Sequence, residues 1–242
     1  MSLSEIGMQS YTYRKFSVQE LVDQAQSLGI SAVELWPGHL PPDASEATVE
    51  EVLAYCRESG VRICGYGVVN LSQADIRQSL AFAKRLGVDY VSVDVHPEDV
   101  EGQREAVAVA EELGLKLAIH NHGPTHHYST PEDVVRVIEA YPEVFGACVD
   151  TGHFLRSGVD PVAAIERLSP RVHAVHIKDF LDERTEVLPG TGRLNLSDTL
   201  RALRAHGFAT AYVIEYEAEP EDPTPDMQKA VAAVREALAG LE

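Results

Sequence analysis

Short apolar runs alternate with amphipathic stretches along the whole chain, and that alternation fixes the expected architecture. A strand over 6–12 is followed by a helix opening at Ser17, where Ser17-Val-Gln-Glu20 has the form of a capping box. Leu21, Val22, Ala25 and Leu28 give that helix its apolar face, and Gly29 ends it. The same unit repeats with strands over 32–36, 62–69, 90–96, 116–122, 146–150, 172–178 and 211–217. The helices between them are expected over 45–59, 72–86, 101–113, 130–141, from 160 onward, 195–206 and 226–241. Thr130-Pro131 and Asp160-Pro161 read as an N-cap followed by proline in the first helical turn. Eight strand–helix units in 242 residues predict a single (β/α)8, or TIM, barrel spanning 1–242 as one domain. An open doubly wound sheet is the weaker reading, because no Gly-x-Gly-x-x-Gly follows the first strand.

A strand buried in a parallel sheet is apolar on both faces, so ionisable groups belong at its ends. Here the last four strands deliver His120, Asp150, His176 and Glu215 to one end of the sheet. In a barrel of this type that end, the C-terminal rim, carries the active site. Two carboxylates grouped in a partly dry cavity repel, and a divalent cation removes the repulsion. The mixed nitrogen and oxygen set of His120, Asp150, His176 and Glu215 suits manganese, zinc, cobalt or iron better than magnesium. Other rim positions carry Glu34, Trp36 and His96, read as substrate contacts, with Trp36 as a cavity wall. His126 and His127 read as loop residues, His173 as barrel exterior and His206 as a helix end. Gly190-Thr-Gly192 offers a weak phosphate-binding signal through its backbone N–H groups.

Composition narrows the partners. Lys plus Arg number 20 against 38 Asp plus Glu, a net charge of −18, which disfavours nucleic acid and anionic membrane surfaces. The three cysteines, Cys56, Cys64 and Cys148, form no C-x-x-C pair and sit in apolar contexts, as expected of buried thiols in a reducing cytoplasm. The first residues show no basic and apolar leader pattern, and no run approaches the length of a membrane span. A homo-oligomer is compatible with everything above.

The segments Ala32-Val-Glu-Leu-Trp36, Leu117-Ala-Ile-His-Asn-His122, Val149-Asp-Thr-Gly-His153, Val175-His-Ile-Lys-Asp179, Gly190-Thr-Gly-Arg-Leu194 and Val213-Ile-Glu-Tyr-Glu217 occur in an order that resembles the xylose-isomerase-like TIM barrels of the sugar phosphate isomerase/epimerase family. The resemblance implies one divalent metal, with Asp150, His176 and Glu215 matching three of its four ligands. It also implies substrate contacts from His153 and Lys178. The fourth ligand in that family is a glutamate after strand five, where this chain has His120-Asn121-His122.

The function expected is a metal-dependent isomerase or epimerase of a small sugar, keto sugar or polyol derivative. It would work by proton transfer through a metal-held enediolate. Glu215, His120 or His122 would move the proton, and His153 and Lys178 would steady the oxyanion. The departure at strand five weakens a symmetric two-glutamate exchange and favours a dehydratase or lyase as the alternative. An abasic-site endonuclease-like metal hydrolase and a non-catalytic sugar-binding barrel are the remaining readings.

Overall fold

Alternation within each strand divides its side chains between two cores. In the computed structural model, which describes residues 5–241, eight parallel strands close into a barrel. They are β1 (Ile6–Gln9), β2 (Ala32–Leu35), β3 (Arg62–Asn70), β4 (Tyr90–Asp94), β5 (Leu117–His120), β6 (Phe145–Asp150), β7 (Val172–Ile177) and β10 (Tyr212–Ile214), which returns to pair with β1. A small antiparallel hairpin, β8 (Asp179–Phe180) and β9 (Glu186–Val187), is inserted between β7 and β10.

One set of strand residues, including Val33, Leu35, Val91, Val93, Ile119 and Ile177, joins the large core under the helices. The other set is small. Ala32, Cys64, Ala211 and Val213 form one inner cluster, and Tyr90, Ala118, Cys148 and Ala174 form another. Side chains two apart share a face of a strand. Two positions beyond six of these inner residues stand Glu34, Ser92, His120, Asp150, His176 and Glu215, whereas the step from Cys64 reaches Tyr66, where the register of β3 shifts. A floor of alanine, cysteine, one valine and one tyrosine thus carries a layer of polar groups at the C-terminal end of the barrel.

The surrounding helices are α1 (Val18–Ser27), α2 (Glu46–Glu58), α3 (Ile76–Leu86), α4 (Val100–Leu113), α5 (Pro131–Ile138), α6 (Thr151–Arg156), α7 (Pro161–Leu168), α8 (Leu196–Ala205) and α9 (Thr224–Ala239). The capping box at Ser17 forms, with Glu20 returning a hydrogen bond to the cap. Thr130 caps α5 with Asp133 in the same reciprocal role, and Asp160 caps α7 ahead of Pro161. The three cysteines are buried and free.

Most strands are shorter than their apolar runs suggested, although β3 runs one residue further than expected. Residues 10–12, expected in the first strand, fall in a 3-10 turn over Ser10–Tyr13, where the Gln9 side chain accepts the Tyr11 N–H and turns the chain. After β6 the sequence suggested a loop up to residue 160. Instead α6 begins directly at the strand end, where Asp150 Oδ1 accepts the His153 N–H at 2.7 Å and caps it. The hairpin β8–β9 was likewise expected to be loop. Asp179 organises it, its carboxylate accepting the N–H groups of Gly190, Gly192 and Leu194. That contact corrects the phosphate reading of Gly190-Thr-Gly192, since two of those donors are already used. Among the described residues no helix is long and apolar enough to cross a membrane.

Candidate metal centre

Parallel register lifts the polar layer to a common height. Asp150 on β6 lies beside His176 on β7, and His176 beside Val213 on β10, two residues short of Glu215. His176 Nδ1 sits 3.1 Å from His120 Nε2 and 3.1 Å from Glu215 Oε2. His120 Nε2 is 3.7 Å from Asp150 Oδ2. One donor atom from each of the four residues lies within 4.8 Å of the others, and all four side chains are buried.

The hydrogen bonds leave gaps where a cation fits. Asp150 Oδ2, Glu215 Oε2 and His120 Nδ1 are buried without a hydrogen bond of acceptable geometry. Unsatisfied carboxylate oxygens in a protein interior are costly. Two of these atoms face His120 Nε2 and His176 Nδ1, so two nitrogens and two oxygens converge on one point. That donor set accommodates a borderline divalent cation.

A supporting layer lies directly beneath. His176 Nε2 donates to Glu34 Oε2 at 2.7 Å, which leaves Nδ1 aimed at the cluster. Tyr90 Oη donates to the same oxygen at 2.6 Å, and Ser92 Oγ donates to Oε1. Gly65 leaves room for the Tyr90 ring, since a Cβ there would stand 2.6 Å from two ring carbons. Glu34 is wholly buried. Glu34, expected to contact substrate, has both of its oxygens engaged by Tyr90, Ser92 and His176 in this structure, the geometry of a group that orients a ligand histidine. Asn121 performs a similar service for Asp150. Its Oδ1 accepts the Asp150 N–H at 2.7 Å and its Nδ2 donates to the Asp150 carbonyl at 2.9 Å.

Charge is distributed unevenly around this layer. Burial opposes the charge on His176, yet its anionic neighbours, Glu34 and Glu215 among them, push its pKa well above that of an ordinary imidazole. Burial also works against Glu215, but the Lys178 ammonium and His176 bring its carboxyl down to about 2. Lys178 is 2% exposed, lies 3.8 Å from Glu215 Oε2 and is bonded to Glu217; these carboxylates, with Asp150, hold it protonated. A Cβ on Gly152 would come within 2.8 Å of the Lys178 side chain, so glycine there lets α6 close over it.

On the other flank the imidazoles are neutral. Burial, reinforced by His120 and other imidazoles, lowers His122 to about 2. Burial lowers His153 to about 4 against the pull of Asp150. Arg156 Nη1 donates to His153 Nδ1 at 3.1 Å, so neutral His153 carries its proton on Nε2. The His122 ring lies 4.6 Å from that of His120 and 5.5 Å from that of His153, centroid to centroid. Among the described residues no hydrogen bond reaches its ring nitrogens.

Two further expected substrate contacts have aromatic neighbours of their own. Trp36 packs edge-on against Tyr11 and His39 beyond β2. His96 is exposed and stands beside His127. The sequence reading missed Tyr90, Ser92, Asn121 and Glu186. Tyr90 and Ser92 lie two apart on the inner face of β4, so strict alternation along that apolar run pointed to them.

The sequence model of the xylose isomerase-like TIM barrel matches residues 22–238. The chain belongs to this family. Among its curated relatives within and around the family, an inosose dehydratase of Geobacillus kaustophilus is 31% identical over 50% of this chain and 45% of its own length. The rhizopine catabolism protein MocC of Rhizobium meliloti is 29% identical over 78% of this chain and 63% of its own. The chain thus spans about half to two thirds of the length of these relatives. A solved structure of the IolI protein with a bound zinc superposes with a TM-score of 0.77 at 18% identity, covering 98% of this chain and 97% of that one. At that identity the likeness concerns the fold.

Proposed function

We propose that this family member is a divalent-metal-dependent dehydratase of a small keto polyol, with inosose-like compounds the first class to test. The observation that carries the reading is the uneven supply of protons around the cluster. One flank offers a neutral imidazole with unengaged ring nitrogens, His122. The other offers groups that hold protons, Lys178 and Glu186, while His153 beside His122 adds an Nε2–H.

A cation held by His120, Asp150, His176 and Glu215 would act as a Lewis acid toward a carbonyl oxygen. The protein's own groups supply the rest. His122 takes the proton alpha to the carbonyl. His153 Nε2–H and the Lys178 ammonium donate to the oxygen on which negative charge grows. Glu186, on the hairpin strand β9, has its Oε2 engaged by the Glu217 N–H at 3.0 Å and its Oε1 buried without a partner. Burial raises its pKa to about 7 against the pull of Lys178, so it holds a proton near neutrality and can pass it to a departing hydroxyl. Proton removal on one side and hydroxyl loss on the other make elimination of water.

An epimerase needs matched acceptors on both faces of one carbon. The histidine at position 120 removes one of the two glutamates that such an exchange would use. The family relatives that carry dehydratase names agree with this preference. Incubating the metal-loaded protein with an inosose in heavy water tests it. Loss of water, seen as a mass change and a new enone or dicarbonyl absorbance, is expected. An isomer of unchanged formula carrying deuterium at the exchanged carbon would overturn dehydration in favour of epimerisation.

A further inference from the structure

We propose that Asp94, His126 and His127 form a second divalent-cation site, of the borderline class that zinc represents, at the outer edge of the barrel mouth. Asp94 closes β4, two residues beyond Ser92, so it continues the inner face of that strand. The two histidines come from the turn after β5. That turn is closed by His122 N–H to the Tyr128 carbonyl at 2.9 Å and His126 N–H to the Gly123 carbonyl at 3.0 Å. Tyr128 Oη donates to the Val95 carbonyl at 2.6 Å and ties the turn to the end of β4.

The result is a convergent set. His127 Nε2 lies 3.0 Å from Asp94 Oδ1, and His126 Nε2 lies 3.4 Å from Asp94 Oδ2. All three donor atoms fall within 4.8 Å of one another. The two rings are 3.8 Å apart, centroid to centroid, and both side chains are about three-quarters buried at 27% exposure. Among the described residues Asp94 has no lysine or arginine partner. Its charge is met only by two imidazoles, which crowd each other and would repel if both were protonated. A cation satisfies the carboxylate and both nitrogens at once, without that repulsion.

One contact opposes it. The Tyr128 N–H donates to His126 Nδ1 at 3.3 Å, and metal capture through Nε2 gives up that long bond. The hydrogen bond between His127 Nε2 and Asp94 Oδ1, at 3.0 Å, would be replaced by a bond from each of these atoms to the cation, which makes them the principal pair. The His122 ring stands between the two sites, 4.2 Å from His126 and 4.6 Å from His120. A cation here would fix the turn that carries His122. It does not depend on the reaction proposed above.

The test uses the full chain, stripped with a chelator, reloaded with zinc and dialysed. The wild type should retain two zinc equivalents. Asp94→Asn combined with His127→Ala should retain one, and Asp150→Ala should also retain one, with near-ultraviolet circular dichroism confirming that each variant is folded. Zinc-edge anomalous diffraction from wild-type crystals should show a peak between Asp94 and His127, independently of any variant. A single equivalent in the wild type that the Asp94/His127 variant keeps, with no peak there, overturns the second site. If Asp150→Ala then removes that equivalent, the first site stands. Two equivalents in the Asp94/His127 variant would also overturn the proposal.

Discussion

Replacing Glu34 by glutamine separates support of a metal ligand from support of the fold. Glu34 Oε2 receives the His176 Nε2–H at 2.7 Å and the Tyr90 hydroxyl at 2.6 Å, while Oε1 receives Ser92. A glutamine with its oxygen in the Oε2 position keeps the first two bonds. Its amide then faces Ser92 Oγ, which can rotate to accept. Shape is conserved and the negative charge is lost. A hydrogen bond to a charged partner contributes about 1.5–3 kcal/mol, against about 0.5–1.5 kcal/mol for a neutral one. Removing a fully buried carboxylate also removes its desolvation cost, so the metal-free fold should shift by less than about 1 kcal/mol. His176 Nδ1, however, becomes a poorer electron donor. Outer partners of this kind typically contribute about 10- to 100-fold to metal affinity, or about 1.4–2.8 kcal/mol. Competition with a chelating dye would measure the affinity, and urea unfolding of the stripped protein would measure stability. Affinity within twofold of wild type would refute the claim that Glu34 acts through a ligand. Equal losses in both assays would mean that it serves the fold alone.

Other expectations follow from the same geometry. Asp150→Ala should abolish metal retention at the four-residue cluster; unchanged retention there, read by anomalous scattering, would remove Asp150 from the ligand set. Lys178→Met leaves Glu215 and Glu217 without their buried cation and should destabilise the stripped protein by about 3–5 kcal/mol, as measured by denaturant unfolding. Metal should restore part of that loss, and a stability change under about 1 kcal/mol would argue against the pairing. The Glu215 carboxyl is depressed to about 2, so its stabilisation is present above the ordinary carboxyl pKa and is lost as the pH falls toward 2. Acid titration of the stripped protein should therefore show stability declining below about pH 4.5, and Glu215→Gln should flatten that decline. In the dehydration assay, kcat should fall as the pH rises through about 7, where Glu186 gives up its proton, and Glu186→Gln should lose that limb.

Much of this was legible in the sequence because the barrel repeats one simple rule. Each strand is apolar until its end, so a histidine or acid placed there announces the rim, and His120, Asp150, His176 and Glu215 were read that way. The supporting layer was harder to see. Glu34 also follows an apolar run, and only its three-dimensional neighbours show that it points beneath the cluster. Helix α6 was hidden because its cap is Asp150, a residue whose other carboxylate oxygen faces the cluster. His126 and His127 do lie in a loop, as expected. Their partner is Asp94, more than thirty residues earlier in sequence, and no local pattern links a turn to a neighbouring strand end. The hairpin strand carrying Glu186 is two residues long, too short for periodicity to register.

The most direct measurement is anomalous diffraction from crystals of the protein reloaded with zinc. A strong peak among His120 Nε2, Asp150 Oδ2, His176 Nδ1 and Glu215 Oε2 is expected, with His176 Nε2 still on Glu34. Retention of zinc with no density among those four atoms, or crystals in which the four side chains have separated, would contradict it.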